Sequence, residues 1–426
     1  MSSLLLKEGR LVDPANDLDA VSDLLVVDGV IEQAGASIDA ADAETIECSG
    51  MIVAPGFVDM HVHLREPGFE HKETIASGTM SAAAGGFTAV ACMPNTKPVN
   101  DQRAVTEFII ERANSEGHVR VHPIGAVSMG QRGEALAEIG ELVDAGCVAI
   151  SDDGHPVATA QLMRKALEYT RIFDIPVIEH CEERSMTVGS VMHEGAVSTE
   201  LGLRGWPAAA EEIIVARDLL LAEATGGRLH LAHLSTAGSM RLVGDAKARG
   251  VNVTCEVMTH HFSLTDEAVR GFDTNTKMSP PLRAESDRRA VLEAIGNGTV
   301  DAIATDHAPH HRDEKLLEYD HAPFGIVGLE TAIPLAITHL CRAEIIDIGR
   351  LVELMSVNPS RILGIAGGSL TAGTPAHLTV IDPERLATVD ASTFHSKSRN
   401  TPFDGEALYG WPMLTIVDGE ITWRRE

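Results

Sequence analysis

Residues 52–63 read Ile52-Val53-Ala54-Pro55-Gly56-Phe57-Val58-Asp59-Met60-His61-Val62-His63, an apolar run that ends on two histidines one residue apart. Short apolar runs closed by turn residues read as buried parallel strands. Residues i and i+2 of a strand face the same way, so His61 and His63 can point at one ion. Four further runs end the same way. Residues 147–150 precede Asp153, residues 175–178 precede His180, residues 229–232 precede His233, and residues 300–305 precede Asp306. Ligands drawn from the ends of several strands are what a barrel with its site on one face supplies. Imidazole and carboxylate together suit Zn²⁺ and similar borderline cations, with Mn²⁺ and Co²⁺ as alternatives. A lone His-x-His is weak evidence for a metal, but five strand ends that agree are not.

Working outward, residues 87–92, 119–127 and 251–257 add three more strand-like runs. Helical patterns at 161–173, 208–224 and 286–295 lie between the runs. Strand alternating with helix means a parallel sheet, and eight such units fit a (β/α)8 barrel over residues 52–365. The ends of the chain differ from this middle. Asp28-Gly29 and Asp418-Gly419 each sit between β-forming residues, a strong hairpin signal because Asp-Gly accepts positive φ at both turn positions. Residues 1–51 and 366–426 are therefore expected to build a small β domain, as one sandwich against the barrel or as two separate hairpins.

The chain has 34 basic and 62 acidic residues among 426, a formal charge of -28. Such a charge repels phosphate backbones and anionic lipid head groups, so neither nucleic acid nor membrane is expected as a partner. The uncharged stretch 74–96 is broken by Gly85-Gly86 and Pro94, and reads as helix, turn and strand rather than a membrane span. Six cysteines at irregular spacing, with no Cys-x-x-Cys, read as reduced thiols of a cytoplasmic protein. No signal peptide is read in the first residues.

A pair of metals needs a ligand that touches both, and a carboxylate can bridge where an imidazole cannot. Asp152 and Asp153 compete for that place, because adjacent strand positions face opposite ways. Spacing alone leaves the choice even, and no lysine lies in the run 147–154.

Several segments are similar to the dihydroorotases of the amidohydrolase superfamily, specifically the longer type in which an aspartate replaces a bridging carboxylated lysine. They are Pro55-Gly56-Phe57-Val58-Asp59-Met60-His61-Val62-His63-Leu64-Arg65-Glu66-Pro67-Gly68, Met93-Pro94-Asn95-Thr96, Ser151-Asp152-Asp153-Gly154, Asn275-Thr276-Lys277-Met278-Ser279-Pro280-Pro281-Leu282-Arg283, Asp306-His307-Ala308-Pro309-His310 and Pro323-Phe324-Gly325-Ile326-Val327-Gly328-Leu329-Glu330. The resemblance covers nearly the whole length. It implies that Asp153 bridges, that His61, His63 and Asp306 complete one metal site, and that His180 and His233 complete the other, with one or two Zn²⁺ per subunit. It also implies that Arg65 and Asn95 hold the ring carboxylate, that His310 assists, and that Asn275 with backbone groups around Pro323 and Gly325 reads the ring amides. Relatives often carry proline where Thr259 precedes His260 and His261; those two histidines are assigned a structural role.

The activity implied is reversible hydrolysis of L-dihydroorotate to N-carbamoyl-L-aspartate in pyrimidine synthesis, with Asp306 as the proton carrier. A hydantoinase or allantoinase would use the same barrel, and a non-catalytic partner of aspartate transcarbamoylase is a further reading. Assays with hydantoin and allantoin beside dihydroorotate separate the first. The presence of all six ligands and the carboxylate clamp argues against the second. A homodimer is the commonest soluble assembly, and the family allows association with aspartate transcarbamoylase. Residues 310–324 read either as a mobile lid over the site or as an ordered surface loop.

Overall fold

The computed structural model describes residues 3–426. Eight parallel strands follow one another in chain order: Phe57–Val62, Phe87–Cys92, Arg120–Gly125, Ala149–Ser151, Val177–Glu179, Leu229–Leu231, Val253–Met258 and Ala302–Ala304. The ring is nearly closed, since Val62 bridges His307 and the His63 N–H donates to the His307 carbonyl at 2.8 Å. Helices such as Ile75–Ala84, Ala160–Thr170, Ala209–Thr225 and Glu285–Gly296 pack outside, which makes this a (β/α)8 barrel. The strands are so short because only their middles pair. His61 lies near the end of the first strand, and the other five expected ligands lie just beyond their strands, where the chain has left the ladder.

Local chemistry explains the boundaries. The stretch 74–96 is helix Ile75–Ala84, a Gly85-Gly86 turn and strand Phe87–Cys92. Thr74 starts the helix, its Oγ1 accepting from the Ser77 N–H at 3.2 Å while the Thr74 N–H donates to Ser77 Oγ at 3.1 Å. Such reciprocal caps are worth about 1 kcal/mol. The barrel interior holds Val58, Met60, Ala89, Ile124, Ile178 and Ala302, all buried. A larger apolar layer between strands and helices surrounds it.

The first apolar run is two strands rather than one. Ile52–Pro55 leaves the barrel and pairs parallel with Ser3–Asp13 and antiparallel with Leu378–Thr388. Only Phe57–Val62 enters the barrel. Gly56 marks the change, since a Cβ there would lie 2.1 Å from Thr88 Oγ1. The β structure of the chain ends accordingly extends four residues past the boundary expected at 51.

Both Asp-Gly pairs form the expected turns, with φ of 48° and 83° at Asp28 and Gly29, and 51° and 78° at Asp418 and Gly419. The two hairpins belong to one eight-stranded sheet, joined through Ile52–Pro55. Their turns abut through Ala376, whose N–H donates to the Gly29 carbonyl at 2.8 Å and whose carbonyl accepts from the Gly419 N–H at 3.0 Å. Leu6, Leu24 and Ile31 from one end of the chain share an apolar cluster with Leu378, Val380 and Ile416 from the other. All six cysteines are free, five of them buried. Among the described residues no helix is long and apolar enough to cross a membrane.

Candidate active site

The six expected ligands converge at the C-terminal ends of the barrel strands. His61, His63 and Asp306 form one group whose donor atoms lie within 4.8 Å of each other, and His61, Asp153 and His233 form a second. Asp153 is the centre of the arrangement. Its Oδ1 lies 3.3 Å from His233 Nε2, 3.4 Å from His61 Nε2 and 3.5 Å from His180 Nδ1, and its Oδ2 lies 3.5 Å from His63 Nε2. Asp306 Oδ1 is 2.9 Å from His63 Nε2 and 3.7 Å from His61 Nε2. His180 Nδ1 and His233 Nε2 face each other at 2.9 Å. Asp152 turns the other way and accepts from the backbone and hydroxyl of Ser128.

Three of the four imidazoles are oriented from behind. His61 Nδ1 donates to Glu256 Oε1 at 2.7 Å, and His63 Nδ1 donates to Asn95 Oδ1 at 2.8 Å, which leaves both Nε2 atoms facing Asp153 and Asp306. His180 Nε2 meets Glu182 Oε2 at 3.3 Å. Arg65, His233 and Asp306 have φ of 65°, 36° and 48°. Non-glycine residues held in this region cluster where function demands it.

The site fits cations. His61 is fully buried, and its Nε2 has no hydrogen-bond partner although it points at two carboxylates. Burial opposes a charge on His61, yet Asp153 and Glu256 outweigh it and hold the imidazole well above its usual range. Burial likewise opposes a charge on His180, but Asp153 and Glu182 push it up to about 10. Burial raises Asp306, but the hydrogen bond from His63 and the charges of His61 and His63 dominate and keep it well below the usual carboxylate range. Carboxylates that draw protons onto buried imidazoles form a site short of positive charge. Divalent cations on those same nitrogens and oxygens would supply it, and the donor set fits them.

A cavity of about 630 Å³ opens over the group, within the usual size for a small-molecule site. Arg65, Asn95, His310 and Gly325 line it, as expected of substrate contacts, whereas Asn275 and Pro323 do not. Asn275 sits half-buried in a turn where its N–H donates to Asp273. The Pro323 carbonyl is taken by Lys315 Nζ at 3.0 Å. Gly325 is also committed: its N–H donates to the Lys277 carbonyl, and its carbonyl accepts from Lys315 and Asn400, each at 3.0 Å. Arg65 stays charged, with burial lowering it to about 10, and its Nε donates to the Pro309 carbonyl at 3.2 Å. Burial pushes His310 down to about 2, so it is neutral, and its Nε2 donates to the Phe324 carbonyl. His260 and His261 are buried and neutral beside the seventh strand.

Sequence reasoning passed over Glu256, Glu182 and Trp206. Glu256 had a signal, a lone acid inside the apolar run 251–257. Glu182 lies in a loop and Trp206 in a two-residue strand, with no period to mark either.

The sequence comparisons agree on one family, and the solved structures share its fold. A family model described as dihydro-orotase-like matches residues 50–239. A curated dihydroorotase from Geobacter metallireducens is 54% identical over 424 residues, 99% of this chain and 100% of that protein. One from Pelotomaculum thermopropionicum is 55% identical over 418 residues, 98% of each. Among solved structures, an L-hydantoinase (dihydropyrimidinase) from Arthrobacter aurescens superposes with a TM-score of 0.89 at 26% identity, covering 99% of this chain and 96% of that one. A D-hydantoinase (dihydropyrimidinase) from a Thermus species gives 0.81 at 25%, covering 99% and 95%.

Proposed function

Since the chain belongs to the dihydroorotase family, we propose that it interconverts L-dihydroorotate and N-carbamoyl-L-aspartate by hydrolysis and closure of the ring amide. The observation that carries this reading is one cavity lined by Asp153, Asp306, His63, His180 and His233 beside a charged Arg65, with His61 buried against the same two carboxylates. That cavity offers a hydrolytic centre and a carboxylate anchor together, and dihydroorotate presents an amide and a carboxylate on one ring.

Arg65 offers its planar fork to the substrate carboxylate. Asn95, whose Oδ1 is engaged by His63, keeps its Nδ2 as a donor to the same group. Asp306, held ionised by His63, accepts the proton of the attacking water. The water oxygen adds to the ring carbonyl, the carbon–nitrogen bond breaks, and Asp306 returns the proton to the departing nitrogen. The reverse sequence closes the ring. His61, His63, Asp153 and Asp306 would hold one cation and Asp153, His180 and His233 a second, with Asp153 bridging. Zn²⁺ suits this donor set, at one or two per subunit. A cation bound there supplies Lewis acidity toward water and toward the scissile carbonyl.

Six free thiols accord with a cytoplasmic setting. A homodimer and an association with aspartate transcarbamoylase follow from the resemblance, and light scattering of the purified protein, alone and mixed with the transcarbamoylase, tests both.

The deciding experiment follows loss of L-dihydroorotate by ultraviolet absorbance, with metal measured on the same sample and Asp153→Ala alongside. Turnover that tracks bound metal and collapses in the variant is the expected result. Turnover of hydantoin but not dihydroorotate would overturn the substrate assignment.

A further inference from the structure

Lys277 and Lys315 are the two lysines drawn inside the protein, 2% and 8% exposed. Lys72 and Lys247 pair with carboxylates, but neither buried lysine forms an ion pair among the described residues. Their donors go to backbone instead. Lys277 Nζ donates to the carbonyls of Tyr319 at 2.6 Å and Asp320 at 3.1 Å, and lies 4.7 Å from the centre of the Phe324 ring. Lys315 Nζ donates to the carbonyls of Pro323 and Gly325, both at 3.0 Å. Four carbonyls of one segment, residues 319–325, thus converge on two cations.

That segment covers the cavity. Asp320, Ala322, Phe324 and Gly325 line it, and Phe324 stands edge-on to Trp206 across the opening, ring centres 6.1 Å apart. An ammonium buried without a counter-charge is costly, whereas a hydrogen bond from an ammonium to a carbonyl is about twice as strong as a neutral one. Burial lowers Lys277 to about 8, opposed by Asp320. Burial and then Lys277 lower Lys315 to about 7, opposed by Asp273 and Glu314. A site that accepts this cost and directs the donors of both cations to one loop is built to fasten that loop.

We propose that Lys277 and Lys315 are positioning residues that hold residues 319–325 as the roof of the cavity, and so set substrate affinity without entering the chemical step. The identity of the substrate rests on the dihydroorotase reading; the fastening does not. Amide hydrogen exchange on the metal-loaded enzyme without substrate tests the fastening directly, comparing wild type with Lys315→Met and Lys315→Arg. In the methionine variant exchange at His321, Ala322 and Gly325 accelerates on the order of tenfold while the barrel strand Leu229–Leu231 is unchanged, and arginine restores part of the protection. Steady-state assays of the same proteins with both substrates show KM raised about tenfold and kcat within about twofold in the methionine variant. Unchanged exchange overturns the proposal, and so does a uniform acceleration across the barrel with kcat falling alongside. If the wild type turned over neither substrate, the exchange result would still decide whether the lysines fasten the roof, and only the dihydroorotase reading would be lost.

Discussion

The floor and the roof of the cavity are built on different principles. The floor takes its six ligands from the ends of the first, fourth, fifth, sixth and eighth barrel strands, so their spacing is inherited from a hydrogen-bonded ring. His61 and His63 are aimed again from behind by Glu256 and Asn95. The roof, residues 319–325, has no strand or helix of its own and is fastened by side chains that reach its backbone, from Lys277, Lys315 and Asn400. Chemistry that must be exact within tenths of an ångström is placed on the periodic part of the fold. Fit to the substrate is placed on a segment that a few bonds can adjust.

The sharpest break of that contrast leaves the floor's shape intact and removes its chemistry. Asp306→Asn keeps the volume of the side chain but cannot take a proton, so turnover in both directions falls by about 10²–10⁴-fold. Melting temperature should stay close to wild type, and because Asp306 also belongs to the cation site, metal is measured on the same sample so that loss of the proton carrier is separated from loss of the cation. A variant that turned over like wild type would remove Asp306 from the proton path.

Glu256→Gln is gentler, because it leaves all six ligands in place and weakens only the partner of His61. Its amide still accepts from Nδ1, but without the charge that strengthens the bond. Metal affinity, read by competition with a chromophoric chelator, should fall by about 10–100-fold. Equal affinity would mean that the barrel alone orients His61, and that the floor needs no support from behind.

How much of this the sequence discloses follows the same division. His61, His63, His180, His233 and Asp306 could be read because each closes an apolar run, and a strand's period is short enough to see in a single chain. The two Asp-Gly turns could be read because their conformation is demanded by two residues alone. The choice between Asp152 and Asp153 could not, since the deciding partner is Ser128, 24 residues upstream and on another strand's loop. The change of sheet inside the run 52–59 was marked only by Gly56, whose reason is the close approach of Thr88. Asn275 and Pro323 came from family resemblance, and the structure places neither in the cavity lining, with the Asn275 backbone N–H donating to Asp273 and the Pro323 carbonyl taken by Lys315. In the roof, backbone direction is set by lysines 42 and 8 residues away, and no local pattern announces such a bond.

The smallest effect expected is also the most particular to the roof. Burial, and then Lys277, lower Lys315 to about 7 from the ordinary lysine value near 10.4. Below pH 7 the folded and unfolded chains both carry this proton, and the folded state bears the whole cost of burying it. Above pH 7 the folded chain releases the proton while the unfolded chain keeps it up to about pH 10.4, so the lysine's penalty shrinks and stability rises with pH. Lys315→Met has no such penalty at any pH. Relative to wild type the variant should therefore stand best near pH 6.5 and lose about 3 kcal/mol of that standing by pH 9.5. In a chain of this length that is a relative fall in Tm of about 3 °C. A difference that stays flat across the range would mean that the ammonium is not buried as a charge. If the difference moves as expected, a variant can gain stability at low pH while its roof loosens, and the wild-type lysine is a place where the fold gives up stability to hold a loop over its substrate.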